Sequence, residues 1–93
     1  MNEEKIVEFE RRIMEELEER RKTLGLSETA LGELVYPNEP NPRQRIQALR
    51  IKRGHGKPQR LRLGDYMALC RAMKVDAGKL IWKVEGPMFD EEA

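Results

Sequence analysis

The sequence predicts an all-α fold of about five helices, and three observations carry that expectation. Apolar residues recur at helical spacing in each periodic stretch, and no stretch shows the strict alternation of a half-buried strand. Helix-stopping residues divide the chain: Gly25, the prolines at 37, 40 and 42, and the glycine-bearing loop GHGKPQ. Several of the segments that follow these breaks open on residues suited to cap a helix N-terminus, namely Ser27, Asn41 and Asp76. At 93 residues there is room for one modest core and little surface for a deep cleft.

The first helix is expected over 3–24, where Ile6, Val7, Phe9, Ile13, Met14, Leu17 and Leu24 recur between charged residues. It is acidic at its start (Glu3, Glu4) and basic at its end (Arg20, Arg21, Lys22), which suits the helix dipole. It is long for so small a domain, and the excess suggests either frayed first turns or a face for a partner subunit. A short helix over 28–35 follows, with Ala30, Leu31, Leu34 and Val35 on its apolar face. The prolines of YPNEPNP then force a break, and a third helix runs over 42–53, opened by Asn41 or Pro42. A fourth carries Leu63, Tyr66, Met67, Leu69, Cys70 and Met73. A fifth starts after Asp76 with Leu80, Ile81 and Val84 inward and Trp82 covering an edge. These elements make a domain over 1–85, and GPMFDEEA at 86–93 reads as a mobile acidic tail, with Met88 and Phe89 available to dock.

Composition narrows the class of function. A chain 39% hydrophobic and 38% charged, with its apolar residues in periodic order, is a folded helical domain and not a disordered one. No apolar run approaches the ~18 residues of a membrane span, and MNEEKIVEFE lacks the basic-then-apolar form of a signal peptide, so a cytoplasmic location is expected. The lone Cys70 sits in a periodic segment and reads as a buried structural thiol. His55 has no second histidine or neighbouring cysteine, so neither a metal nor a cofactor is expected. Without a phosphate-binding glycine loop or paired carboxylates in a pocket, the chain is not expected to be an enzyme.

The charge is unevenly placed. Residues 41–74 hold ten Lys or Arg against the single Asp65, whereas the flanks are acidic. Such a block suits a polyanion, and the flanks oppose indiscriminate binding. On a helical wheel the third helix turns Pro42, Ile46, Leu49 and Arg53 inward. Its outward crest is then Gln44, Gln47, Ala48 and Ile51, bordered by Arg43 and Arg50 on one side and Arg45 and Lys52 on the other. Gln can pair bidentately with adenine in a major groove, Ala can meet a thymine methyl, and Arg can fork onto guanine. Bordering cations would meet phosphates. The loop after this helix adds Lys57 and Arg60.

The segment from Leu24 to Val84 resembles the helix-turn-helix domain of the lambda-repressor/Cro (XRE) family. LGLSETALGEL resembles the opening Leu-Ser-x-x-x-Leu-Ala segment, with Gly32 where a small residue lets the two motif helices pack. The third helix stands where the recognition helix stands, and YMALCRAMKVDAGKLI is similar to the closing pattern of a helix ending Ala-Leu-x-Val followed by a capped short helix. The resemblance implies a compact five-helix lambda-repressor-like fold, major-groove insertion of the third helix, and a homodimer on palindromic duplex DNA. Three departures stand out. Tyr36 and PNEPN replace the usual short glycine turn, Glu28 occupies a position where many members place a phosphate-contacting Gln, and the third helix is about two residues longer.

Residues and resemblance together lead to a sequence-specific double-stranded DNA-binding transcriptional regulator acting as a repressor. Arg43, Gln44, Gln47 and Ala48 are assigned to base reading. Thr29, Arg45, Arg50, Lys52, Lys57 and Arg60 are assigned to phosphates. The alternative is a protein-interaction module, or a DNA-binding antitoxin that neutralises a partner toxin through the N-terminal helix or the C-terminal tail. RNA is less favoured because few exposed aromatics are expected to stack on bases.

Overall fold

A computed structural model of the chain describes residues 2–49 and 60–92. Among these residues there are five α-helices and no strand: α1 (Glu3–Thr23), α2 (Glu28–Val35), α3 (Pro42–Leu49), α4 (Leu63–Ala72) and α5 (Ala77–Glu92). α2 packs chiefly on α3, α1 lies along α5, and α4 touches both α2 and α5. One core is shared by all five, built from Ile13, Met14 and Leu17 of α1, Leu31 of α2, Ile46 and Leu49 of α3, Tyr66, Leu69 and Cys70 of α4, Met73 after it, and Leu80, Val84 and Met88 of α5. Cys70 is buried and unpaired, as its periodic setting predicts. Burial raises the pKa of its thiol.

The helix ends follow the capping chemistry of the sequence. Asn2 accepts a hydrogen bond from the Lys5 N–H at 2.9 Å, Ser27 from Ala30 at 3.0 Å and Asp76 from Lys79 at 2.9 Å. At the end of α1, Gly25 takes a left-handed φ of 71°. Its N–H reaches the Lys22 carbonyl and that of Leu26 reaches Arg21, so the last carbonyls are satisfied. The end of α4 repeats this geometry with Lys74 at φ 56°: Lys74 N–H reaches Arg71 O and Val75 N–H reaches Cys70 O. A side chain with a Cβ occupies a position that favours glycine there.

The segment from Gly86 onward is not the mobile acidic tail that the sequence suggests. α5 continues to Glu92, and Met88 is fully buried. Pro87 has no N–H to give the Lys83 carbonyl, which is why GPMF reads as a helix end. Two tertiary contacts carry the helix past it. Met88 extends the inward row begun by Leu80 and Val84 at intervals of four, and the Glu91 carboxylate accepts two bonds from the Arg12 guanidinium at 2.9 and 3.0 Å. The extra length of α1 thus meets the extra length of α5, with Lys83 paired to Glu16 along the same seam. Trp82, expected to cover an edge, lies 78% exposed.

Candidate nucleic-acid interface

α3 is held against α2 at very short range. A Cβ built on Gly32 would lie 2.6 Å from both the carbonyl carbon and the oxygen of Pro42, closer than packed atoms approach. Glycine is required there because the start of α3 crosses directly over α2. Asn41 opens α3, accepting from the Gln44 N–H through its side chain at 3.3 Å and its backbone carbonyl at 3.1 Å. Ile46 and Leu49 then face the core, 1% and 3% exposed. That orientation leaves Arg43, Gln44 and Ala48 exposed and Gln47 half-buried at the margin.

The six residues 36–41 between α2 and α3 are organised by Tyr36. Its hydroxyl donates to Asp65 Oδ1 of α4 at 2.9 Å, and the Arg45 guanidinium carbon stands 4.6 Å above its ring. Arg45 also lies 3.7 Å from Asp65 and 4.0 Å from Glu39. Burial, and then the Asp65 carboxylate, push the Tyr36 hydroxyl pKa up to about 12. One aromatic ring therefore ties the end of α2, the turn, α3 and α4 together, doing by side-chain contact what a short glycine turn does by backbone geometry.

The residues assigned from sequence fall into three groups. Arg43, Gln44, Gln47 and Ala48 come together on the outer part of α3, and Thr29 is exposed near the start of α2. Arg45 and Arg60 are engaged within the fold. Arg45 is in the tyrosine cluster, and Arg60 makes two 2.8 Å bonds to the Glu10 carboxylate of α1. The Arg60 guanidinium, and then the Leu61 N–H, hold the Glu10 carboxyl below its usual pKa. Arg50, Lys52 and Lys57 lie outside the described residues, as do Ile51, Arg53 and His55.

Glu28, the carboxylate that departs from the helix-turn-helix pattern, is largely buried with Oε1 4.0 Å from Arg43 Nε. Sequence reasoning missed Tyr36, Asp65 and Glu10. Tyr36 and Asp65 are 29 residues apart and Glu10 and Arg60 are 50 apart, so no local periodicity signals either pair.

A shallow open groove of about 240 Å³ between α1 and α5 is lined by Arg12, Glu15, Glu16, Lys83, Val84 and Pro87, and by none of the residues assigned from sequence. Among the described residues no cluster of three or more His, Cys, Asp or Glu side chains is placed to hold a metal, and no helix is long and apolar enough to cross a membrane. Comparisons with protein-family models, with curated proteins and with solved structures give no match for this chain.

Proposed function

We propose that the protein binds double-stranded DNA sequence-specifically as a transcriptional repressor, with α3 in the major groove. The observation that supports this most is the outer surface of α3. Arg43, Gln44 and Ala48 are exposed there opposite buried Ile46 and Leu49, on a helix with no acidic residue. An ordinary solvated helix mixes both signs of charge, whereas a groove-reading helix needs donors, amides and small apolar groups on its crest. The close approach at Gly32 and the Tyr36 cluster fix the angle at which α3 leaves the body, which a helix entering a groove requires.

Within this reading Arg43, Gln44, Gln47 and Ala48 meet base edges, and Thr29 meets a phosphate. Arg45 acts through Tyr36 and Asp65 as a positioning residue, and Arg60 reaches a phosphate after release from Glu10. Selection of bound duplexes from a random pool, at two salt concentrations, tests the reading. The expected result is a palindromic motif that a Gln44→Ala, Gln47→Ala double variant blurs. Each lost bidentate contact should cost ~1–3 kcal/mol of discrimination. Binding that is salt-sensitive but motif-free would remove the base-reading assignment.

A further inference from the structure

The basic middle of the chain and its acidic beginning meet in the fold. Among the described residues, each cation assigned to DNA has a carboxylate from residues 1–40 within 4.0 Å: Glu28 at Arg43, Glu39 at Arg45 and Glu10 at Arg60. The first two stand at 4.0 Å, at the edge of contact. Glu10 is closer and reaches across 50 residues of chain. Its Oε1 accepts from Arg60 Nε and its Oε2 from Arg60 Nη2, both at 2.8 Å, and Oε1 also takes the Leu61 N–H at 3.3 Å. Glu10 lies in the row of α1 that continues through Ile13 and Leu17, both buried, where an apolar residue would extend the core stripe. A carboxylate placed there needs a cation, and Arg60 supplies it.

We infer that Glu10 competes with DNA phosphate for Arg60, an autoinhibitory contact that caps the affinity of the protein for DNA. Nε and Nη2 form an edge on which a guanidinium takes two oxygens of a phosphate, and the two Glu10 oxygens already occupy it. The Arg60 side chain is 54% exposed, so the pair lies where an arriving phosphate can reach it. A partly exposed ion pair adds little to stability, so exchanging it costs the fold little.

On a duplex bound without base contacts Arg60 stays with Glu10, because the fold holds the carboxylate against it and nothing holds a loosely placed phosphate there. One cation is then withheld from sequence-independent binding. On a duplex seated in register the phosphate is held as firmly, and Arg60 passes to it. The cost of leaving Glu10 is subtracted from the affinity. α1 thus sets how tightly DNA is held, although it carries no residue assigned to DNA. The inference rests on the DNA-binding reading and deepens it at Arg60.

Anisotropy titrations over a series of salt concentrations test it, with one labelled duplex carrying the selected motif and one scrambled. Glu10→Gln should tighten binding to both, by roughly threefold or more. On the scrambled duplex the slope of log affinity against log salt should steepen by about 0.9, the mark of one added phosphate contact. On the motif duplex the slope should stay, since there Arg60 reaches its phosphate in the wild type too. Glu10→Asp, which keeps the charge but withdraws it by one methylene, should give part of the gain. Arg60→Gln added to Glu10→Gln should cancel the gain on both duplexes. A gain from mere loss of a negative charge would survive that second change, and a variant that only damaged the fold would bind more weakly. Unchanged or weaker binding by Glu10→Gln overturns the inference, and so does a gain that persists without Arg60. If the pool yields no motif but the scrambled duplex shows the gain and its reversal, the inference stands and the base-reading assignment falls. If a motif is found and Glu10→Gln changes nothing, the inference falls alone. Absence of binding to any duplex, by wild type and Glu10→Gln alike, removes both.

Discussion

Two single residues show how the same backbone chemistry is satisfied or left strained. Gly32 is the place where α2 and α3 touch, and the 2.6 Å approach to Pro42 is to backbone, which cannot swing aside as a side chain can. Gly32→Ala should therefore force the two helices apart, costing ~1–3 kcal/mol, an overpacking penalty. Lys74 is the opposite case. It holds a left-handed φ in a helix-ending motif that Gly25 makes without a Cβ, so Lys74→Gly should stabilise by ~1 kcal/mol. Urea midpoints of the two variants, moving in opposite directions from wild type, check both. The small residue at position 32, inside the second helix, was expected from the resemblance of LGLSETALGEL to the helix-turn-helix pattern. The demand at position 74 was not, because nothing in Met-Lys-Val distinguishes a left-handed residue from a helical one.

At the scale of the element, α5 is held by tertiary contacts past a proline that local rules read as its end. Pro87 interrupts the backbone ladder, and the helix persists because Met88 is buried and Glu91 is clamped by Arg12. Neighbouring residues should then behave very differently. Met88→Ala should cost ~2–5 kcal/mol, since Met88 is fully buried in the shared core and its loss leaves a void there. Phe89→Ala, at an exposed position, should leave the stability of the monomer nearly unchanged. Thermal melts at low protein concentration separate the two. The spacing Leu80, Val84, Met88 was a visible signal that the apolar row continued. The proline outweighed it because local backbone rules can be read without knowing what lies across the fold.

For the molecule as a whole, paired ionisable groups, within α1 and between elements, set the pH range of stability. The Arg11 guanidinium, with Arg12 beside it, holds the Glu8 carboxyl at about 2, and Arg60 and Arg12 lower those of Glu10 and Glu91. Lowered carboxyl values mean that this stabilisation is present above the unfolded value of 4.5 and is lost as pH falls toward 2. On the alkaline side the sign reverses. Tyr36, raised from 10.0 to about 12, contributes fully below pH 10, and that contribution is lost as pH rises through 12. Urea midpoints measured against pH should fall at both ends. Tyr36→Phe should flatten the alkaline fall while leaving the acid one in place. Tyr66, whose hydroxyl donates to the Ala77 carbonyl at 2.5 Å and whose pKa is also raised, keeps part of the alkaline dependence in that variant.

Periodicity and capping chemistry, read from the chain alone, determined that the protein is all-α, where α1 and α2 begin and end, where α3 starts, and which side of α3 is buried. These depend on spacing and on neighbours within four residues, which is information the chain carries locally. Tertiary structure decided which cations are committed inside the fold and whether the chain after Gly86 is ordered. Arg45 and Arg60 look like their neighbours in sequence. They differ because Tyr36 and Asp65 close on one and Glu10 on the other from distant helices. A charge's partner is set by proximity in space, and the distances that bring Glu91 to Arg12 or Asp65 to Tyr36 exist only once the helices have packed.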